Sequence, residues 1–161
     1  MDLKKLFDLQ RELDSTISKE HHLEEETLFS KKALALQVEF GELANETRCF
    51  KYWSNKKPSP KNIIIEEYVD CLHFILSIGI DKDFENIELS QSCSLNKTTD
   101  QFLDLFIDMN DFLICSSIDH YITLFEDFLS LGINLGFTDK EIEDAYLNKN
   151  AINHQRQATG Y

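Results

Sequence analysis

The segment from residue 63 to residue 80, IIIEEYVDCLHFILSIGI, constrains the fold more than any other part of the chain. Wound as a helix with about 3.6 residues per turn, it is apolar almost all round. A helix of this kind is stable only where other elements cover nearly every side of it. The rest of the chain must therefore surround this segment, and in a small helical protein a partner subunit can supply part of the cover.

Other parts of the chain provide further helices. Helical periodicity of apolar residues extends over residues 2–18, 28–52, 100–115 and 118–135. A last helix begins with a capping-box pattern at Thr138–Glu141 and runs towards Arg156. No alternating pattern typical of strands reaches a useful length, and only five Gly and two Pro occur. We predict an all-α fold, a bundle of about five to six helices, in one domain over residues 1–161.

Composition and charge exclude several classes of function. A net charge of −13 argues against nucleic-acid binding, which depends on clustered Lys and Arg side chains. The longest apolar run, LHFILSIGI, is far shorter than the roughly 20 residues that span a bilayer. The four cysteines form no CxxC pair, which is typical of proteins in a reducing cytosol. We expect a cytoplasmic protein without a membrane segment, and we interpret the acidic run Glu24–Glu26 as surface.

Carboxylates lie on the apolar sides of two predicted helices. Glu39 and Glu42 in the second helix, and Glu67 and Asp70 in the third, form pairs at i and i+3. We expect Phe50 on the same side as the first pair. Buried carboxylates destabilise one another unless a cation lies between them. Because no His/Cys cluster accompanies these oxygen ligands, the pattern favours Mg²⁺, or Mn²⁺, over Zn²⁺. Mg²⁺ held in this way often completes its shell with substrate phosphates, so the acids predict a phosphate site.

Cationic and amide side chains of the last helix complement the acids. Lys149, Asn153 and Arg156 share one helical face, since they follow each other at i, i+4 and i+7. Lysine and arginine at this spacing suit a polyphosphate chain. Alone, such a face is typical of a solvated helix surface; its value comes from the metal site that it can cover. The predicted end of the second helix adds two cations and an aromatic plane, namely Lys51, Lys56 and Trp53.

Three stretches of the sequence together resemble a known family. They are EFGELANETRCFKYWS, EEYVDCLHFILSIG and YLNKNAINHQRQATGY. In this order they resemble the all-α dimeric dUTPases of bacteria and phages, relatives of the MazG-type nucleoside triphosphate pyrophosphohydrolases. The resemblance covers nearly the whole chain. It implies a homodimer that hydrolyses dUTP, and dUDP, to dUMP with Mg²⁺.

The resemblance also implies roles for individual residues. The metal ligands would be Glu39, Glu42, Glu67 and Asp70. The phosphates would be bound by Lys149, Asn153 and Arg156, with help from Lys51 and Lys56. The deoxyuridine pocket would be shaped by Gln10, His73 and Trp53. The sequence gives independent support to Gln10, because an amide among apolar residues needs a hydrogen-bonding partner.

The expected chemistry is attack by a metal-activated water on the phosphate chain. Glu46, one turn beyond Glu42 on the same face, is a candidate to orient or deprotonate that water, and Glu39 is its rival. Two alternatives remain open. One is a dCTP-directed or broad-specificity MazG-like enzyme with the same acids. The other is a non-catalytic helical binding protein stabilised by a metal. The acidic stripe Asp104, Asp108 and Asp111 would support that alternative. We interpret the stripe, however, as a solvated face.

Overall fold

The computed structural model describes residues 1–23, 27–90 and 96–160. The helices are α1 Leu3–Glu20, α2 Phe29–Thr47, α3 Lys61–Asp81, α4 Thr98–Ile114, α5 Ile118–Asn134 and α6 Asp139–Ala158. No described residue belongs to a strand, so the predicted all-α fold is confirmed. Within these ranges, each helix is too short or too polar to cross a bilayer. The predicted surface run Glu24–Glu26 and the cysteine Cys93 lie outside the described residues.

Helix α3 has the surrounded position that its sequence predicts. It packs against α1, α2, α5 and α6, and almost all of its residues from Tyr68 to Gly79 are buried. Each fully buried large apolar side chain contributes about 1.5–3 kcal/mol relative to an exposed one. The core around α3 therefore fixes the directions in which its few polar side chains project.

Two tyrosines bring α3 and α5 close together. The hydroxyl of Tyr121 donates a hydrogen bond of 3.0 Å to the carbonyl oxygen of Ile75, and Tyr68 donates one of 3.2 Å to Phe128. A Cβ atom at Gly79 would lie only 2.1 Å from the Tyr121 hydroxyl oxygen. A glycine is therefore required at that position for the buried tyrosine to reach its acceptor.

Helix α2 ends at Thr47, earlier than the predicted end near Tyr52. Arg48 adopts a left-handed conformation with φ of 58°, and its side chain stabilises the turn. Its Nε donates to the carbonyl oxygen of Lys56 at 3.0 Å, and its guanidinium also donates to Ser54 Oγ at 2.7 Å. The expectation that Phe50 continues the apolar side of the helix is wrong, because Phe50 follows the helix and is exposed.

The start of α6 agrees with the sequence pattern. Thr138 Oγ1 accepts a hydrogen bond of 3.2 Å from the backbone N–H of Glu141, and Glu141 accepts one of 2.9 Å from the backbone N–H of Thr138. This reciprocal pair is the predicted capping box. It fixes where α6 begins and hence which of its side chains face α1 and α3.

The acidic stripe of α4 is only partly a solvated face. Asp108 Oδ2 is buried without a hydrogen-bond partner among the described residues. Burial, followed by the charge of Asp127 on α5, raises the pKa of Asp108 to about 7. The interpretation of the stripe as solvated is therefore wrong for Asp108, because the packing of α5 against α4 covers one of its oxygens.

Candidate active site

Three carboxylates meet between α2 and α3. Glu39, Glu67 and Asp70 each offer one oxygen, and these oxygens lie within 4.8 Å of one another. Glu67 and Asp70 project from neighbouring positions of α3 because they are three residues apart. Glu39 reaches them from α2, which packs along α3. The two acid pairs read from the sequence are thus brought together across a helix interface, with three of their four members in one cluster.

The three carboxylates are electrostatically unfavourable neighbours. Burial, followed by the charges of Asp70 and Glu42, raises the pKa of Glu39 to about 7. Burial and the charge of Asp70 raise the pKa of Glu67, and burial raises that of Asp70. Each shift favours a proton on the carboxylate. A cation close to the cluster would offset this repulsion and favour the fully ionised carboxylates.

Lys149 of α6 is a cation in direct contact with this cluster. Its Nζ lies 2.6 Å from Asp70 Oδ2 and 3.3 Å from Glu66 Oε1. Burial alone would lower the pKa of Lys149, but the hydrogen bond and charge of Asp70 raise it. Lys149 in turn lowers the pKa values of Glu39, Glu67 and Asp70. The predicted phosphate-binding lysine and the predicted metal ligands thus belong to one site.

A cavity of about 590 Å³ opens next to the cluster. This volume lies within the range of about 300–1,000 Å³ usual for small-molecule sites. Its walls come from α1, α2, α3 and α6, and they include most of the predicted ligand-binding residues, namely Gln10, Glu39, Asp70, His73, Lys149, Asn153 and Arg156. One concave site therefore combines carboxylates at one part of its wall with cations, amides and an imidazole at others.

A comparison with protein-family models identifies the family of the chain. A family model described as dUTPase matches residues 2–161, nearly the whole chain. The chain belongs to the dUTPase family. It is a dUTP diphosphatase, and the resemblance found in its sequence is confirmed. A comparison with curated proteins found no match.

The remaining acids that the sequence predicts for the site, Glu42 and Glu46, lie beside the cluster. Glu42 is exposed, and its charge raises the pKa values of Glu39 and Glu67. Glu42, Glu46 and Glu67 line a second, smaller cleft. Glu46 accepts a short hydrogen bond from Ser59 Oγ, in the loop before α3. Glu46 is thereby held next to the carboxylate cluster without belonging to it.

The loop after α2 lies away from the main cavity of the dUTPase. Trp53 is 64% exposed and contacts Phe50 and Tyr52. Lys51 hydrogen-bonds through Nζ to Asn45, which lines the second cleft. Lys56 is exposed. The structure does not bring these three predicted residues to the wall of the main cavity within this chain, because α2 ends before them.

Gln10 has the hydrogen-bonding partners that its apolar surroundings predict. Its Oε1 accepts from the Tyr146 hydroxyl at 2.8 Å and pairs with His73 Nδ1 at 2.7 Å. Its Nε2 donates to Asp14 Oδ1 at 2.7 Å. Asp14 and Ser77, which lines the same cavity, are functional candidates that sequence reasoning missed. The available signal was weak: Asp14 follows Gln10 by four residues on the same face of α1.

Proposed function

We propose that this dUTPase hydrolyses dUTP, and also dUDP, to dUMP, and that its cofactor is Mg²⁺, which Mn²⁺ can replace. One observation carries the proposal. Glu39, Glu67 and Asp70 offer oxygens within 4.8 Å of one another, beside a cavity that Lys149, Asn153 and Arg156 also line. Anionic ligands and cationic or amide donors in one cavity match the two needs of a metal-dependent reaction on a phosphate chain.

The donor set of the cluster fits a hard divalent cation. Its ligand atoms are carboxylate oxygens, which Mg²⁺ and Mn²⁺ prefer over softer metals. The raised pKa of Glu39, about 7, supports the same assignment. Repulsion by the neighbouring carboxylates contributes to this shift, and a bound cation would offset that repulsion. Glu39, Glu67 and Asp70 would hold the ion, with the exposed Glu42 as a further ligand. When bound, Mg²⁺ supplies charge neutralisation to the phosphates and acidifies water.

The cationic and amide side chains of α6 would bind the phosphate chain. Asn153 and Arg156 line the cavity one turn or two beyond Lys149 on α6. We propose that all three donate hydrogen bonds to phosphate oxygens. Lys149 would then exchange part of its contact with Asp70 for a phosphate oxygen. Lys51 and Lys56 enter the proposal as further cations that a movement of their loop would bring to the same phosphates.

A carboxylate beside the cluster would act as the general base that accepts a proton from the attacking water. We propose Glu46 for this role, and Glu39 is the alternative. Glu46 lies outside the three-carboxylate cluster, and Ser59 holds its side chain in the cleft shared with Glu67. The water oxygen would form a bond to phosphorus while its proton passes to the carboxylate. The bond from that phosphorus to the bridging oxygen would break, releasing pyrophosphate from dUTP or phosphate from dUDP.

The nucleoside would occupy the part of the cavity lined by Gln10 and His73. Both side chains are buried and mutually hydrogen-bonded, which supports a rigid recognition surface. Trp53 is exposed and would reach a nucleoside only through a movement of its loop or from a second subunit. Its role in the deoxyuridine pocket therefore depends on the assembly.

We also propose that the enzyme is a cytoplasmic homodimer. Exposed apolar side chains on α2 and α4 support the dimer, namely Leu34, Val38, Leu103 and Ile107. Contiguous exposed apolar surface is typical of protein contacts. Light scattering on the purified protein measures the assembly directly.

Cys49, Cys71 and Cys115 are free, which supports a reducing compartment.

A nucleotide panel tests the proposed reaction. The protein is incubated with dUTP, dUDP, dCTP, dTTP or UTP in Mg²⁺, Mn²⁺ or EDTA, and monophosphates are separated by chromatography. We expect dUMP from dUTP and dUDP with either metal, and no product in EDTA. Comparable release of dCMP from dCTP would establish broad or dCTP-directed specificity instead. Metal-dependent melting without any hydrolysis would leave the non-catalytic binding protein.

A further inference from the structure

A hydrogen-bond network behind the proposed base pocket fixes the orientation of one amide. Asp14, as a carboxylate, accepts hydrogen bonds and has none to donate. The group of Gln10 that lies 2.7 Å from it must therefore be the donating Nε2. This leaves Oε1 of Gln10 facing the hydroxyl of Tyr146 and Nδ1 of His73. Asp14 itself is held by the hydroxyl of Ser77 and by Lys32, whose Nζ lies 3.4 Å away.

The amide in turn decides where His73 carries its proton. Oε1 of Gln10 can only accept, so Nδ1 of His73 must donate to it across 2.7 Å. Burial and the charge of Lys149 lower the pKa of His73 to about 3, which keeps the ring neutral at physiological pH. A neutral imidazole has one ring proton. Because that proton is on Nδ1, Nε2 is a bare acceptor.

The remaining nitrogen of His73 is an unsatisfied acceptor. Nε2 is buried and has no hydrogen-bond partner among the described residues, although a buried polar atom normally has one. The ring stacks on Tyr146 with centroids 4.2 Å apart, so its plane is held. His73 and Gln10 both line the main cavity. A ligand that brings an N–H donor to this atom would satisfy it.

We propose that Asp14 is a positioning residue for base selection: through Gln10 it keeps the proton of His73 on Nδ1, so that Nε2 accepts the N3–H of uracil. The inference rests on the proposed function of this cavity. Cytosine presents an unprotonated N3 with a lone pair at the same position. A second acceptor opposite Nε2 would be repelled, and the network would thus favour dUTP over dCTP. Sites that hydrogen-bond a substrate N–H discriminate strongly against analogues that lack it.

The tautomer of His73 can be measured without any change to the network. The wild-type protein is labelled with ¹⁵N-histidine, and long-range ¹H–¹⁵N correlation spectra separate protonated from bare ring nitrogens. The signals of His73 are assigned by their loss from a His73→Gln spectrum. We expect Nδ1 protonated and Nε2 bare throughout the range from pH 6 to pH 8. A proton on Nε2 in the free enzyme would overturn the proposal.

Substitution of Asp14 tests the link to selectivity. In Asp14→Ala, Gln10 loses the acceptor that fixes its amide, so the amide can turn and the His73 proton can move to Nε2. We expect a mixed or reversed tautomer and a fall of about tenfold or more in the ratio of kcat/KM for dUTP to that for dCTP. Asp81→Ala is the matched control, because Asp81 also pairs with Lys32, at 2.7 Å, and no contact between Asp81 and Gln10 is observed among the described residues. It should keep both the tautomer and the ratio.

The outcomes separate this inference from the proposed function. An enzyme that hydrolyses dUTP, but whose tautomer and dUTP/dCTP ratio are the same in Asp14→Ala as in wild type, would overturn the role of Asp14 alone. A wild-type enzyme that hydrolyses neither nucleotide would overturn the proposed function and with it this inference. If Asp14→Ala does not fold, Gln10→Leu breaks the network one step further on, because it removes Oε1, the acceptor of His73 Nδ1. That variant must then show the altered tautomer and the lower ratio.

Discussion

The Nζ atom of Lys149 lies 2.6 Å from Oδ2 of Asp70, and this contact joins α6 to the carboxylate cluster of α2 and α3. Lys149 is largely buried, with 11% of its side chain exposed. Its charge lowers the pKa values of all three clustered acids. We propose that the same ammonium group compensates the acids before the substrate binds and contacts phosphate afterwards.

Lys149→Met removes this cation while keeping most of the side-chain volume. We expect kcat/KM for dUTP to fall about 10- to 100-fold, because a hydrogen bond to a charged group contributes about 1.5–3 kcal/mol. Steady-state kinetics at saturating Mg²⁺ measure the effect. Lys61→Met is the control, since Lys61 forms an ion pair with Glu141 on the surface and does not line the cavity. Equal kinetics for the two variants would remove Lys149 from the phosphate site.

Asp70→Asn removes one charge from the cluster at nearly constant shape. We expect turnover to fall about a thousandfold, since ligation by this carboxylate is proposed to contribute several kcal/mol through the cation. In EDTA the melting temperature should rise, because repulsion by Asp70 raises the pKa values of Glu39 and Glu67. Glu42→Gln should lose turnover as well. Near-normal activity of either variant in Mg²⁺ would contradict the metal assignment.

The raised pKa of Glu39 predicts a pH dependence of stability in the absence of metal. The folded protein holds this proton up to about pH 7, whereas the unfolded chain releases it near 4.5. The free energy of unfolding should therefore fall as the pH rises through that window, and remain level above it. Because the group is only half-buried, we expect a loss of about 1 kcal/mol. Urea denaturation in EDTA at pH 5 and pH 8 measures it.

Two comparisons make this pH test specific to Glu39. Glu39→Gln should flatten the part of the profile that Glu39 causes, and Mg²⁺ should restore stability of the wild type at pH 8. A wild-type profile in EDTA that is unchanged by Glu39→Gln would show that Glu39 ionises normally. The raised pKa would then be no evidence for a cation site.

Asp108 predicts a similar profile from a place outside the site. Its pKa of about 7, raised mainly by burial and then by Asp127, means that the free energy of unfolding falls as the pH rises from about 4 to about 7. Asp108→Asn should stabilise the protein at pH 8 by about 1 kcal/mol and leave kcat/KM for dUTP unchanged, since Asp108 lines neither cleft of the site. Urea denaturation and kinetics on the same preparation measure both. A destabilised variant at pH 8 would show that the folded protein stabilises the ionised form of Asp108, and would contradict the raised pKa.

Patterns local to a helix were the part of the fold that could be predicted. Residues 63–80 are apolar on almost every side of the helix, and this pattern predicted the buried α3. The capping-box residues Thr138 and Glu141 predicted the start of α6. The end of α2 could not be predicted, since Arg48 stabilises it through contacts with Ser54 and Lys56 in the following loop. This one turn explains why Phe50 and Trp53 lie outside the packed interior.

In the candidate site, too, features local to one helix could be predicted, and contacts between helices could not. Acid pairs at i and i+3 indicate which carboxylates share a helix face, so Glu39, Glu67 and Asp70 were identified before their contact was known. The role proposed for Asp14 depends instead on contacts with side chains from three helices, namely Gln10, Lys32 and Ser77. The spacing within α1 indicates only the contact with Gln10, and not the contacts with Lys32 of α2 and Ser77 of α3. The half-buried Asp108 was missed for the same reason, because α5 covers it.

Isothermal titration calorimetry of the wild-type protein measures whether Mg²⁺ joins the carboxylate cluster to the nucleotide. Mg²⁺ is titrated first, followed by a non-hydrolysable deoxyuridine triphosphate analogue, with parallel titrations in EDTA and on Glu67→Gln. We expect heat from Mg²⁺ uptake, analogue binding that is strong only with Mg²⁺, and loss of both in the variant. Analogue binding of equal affinity in Mg²⁺ and in EDTA, without Mg²⁺ uptake by the wild type, would contradict it.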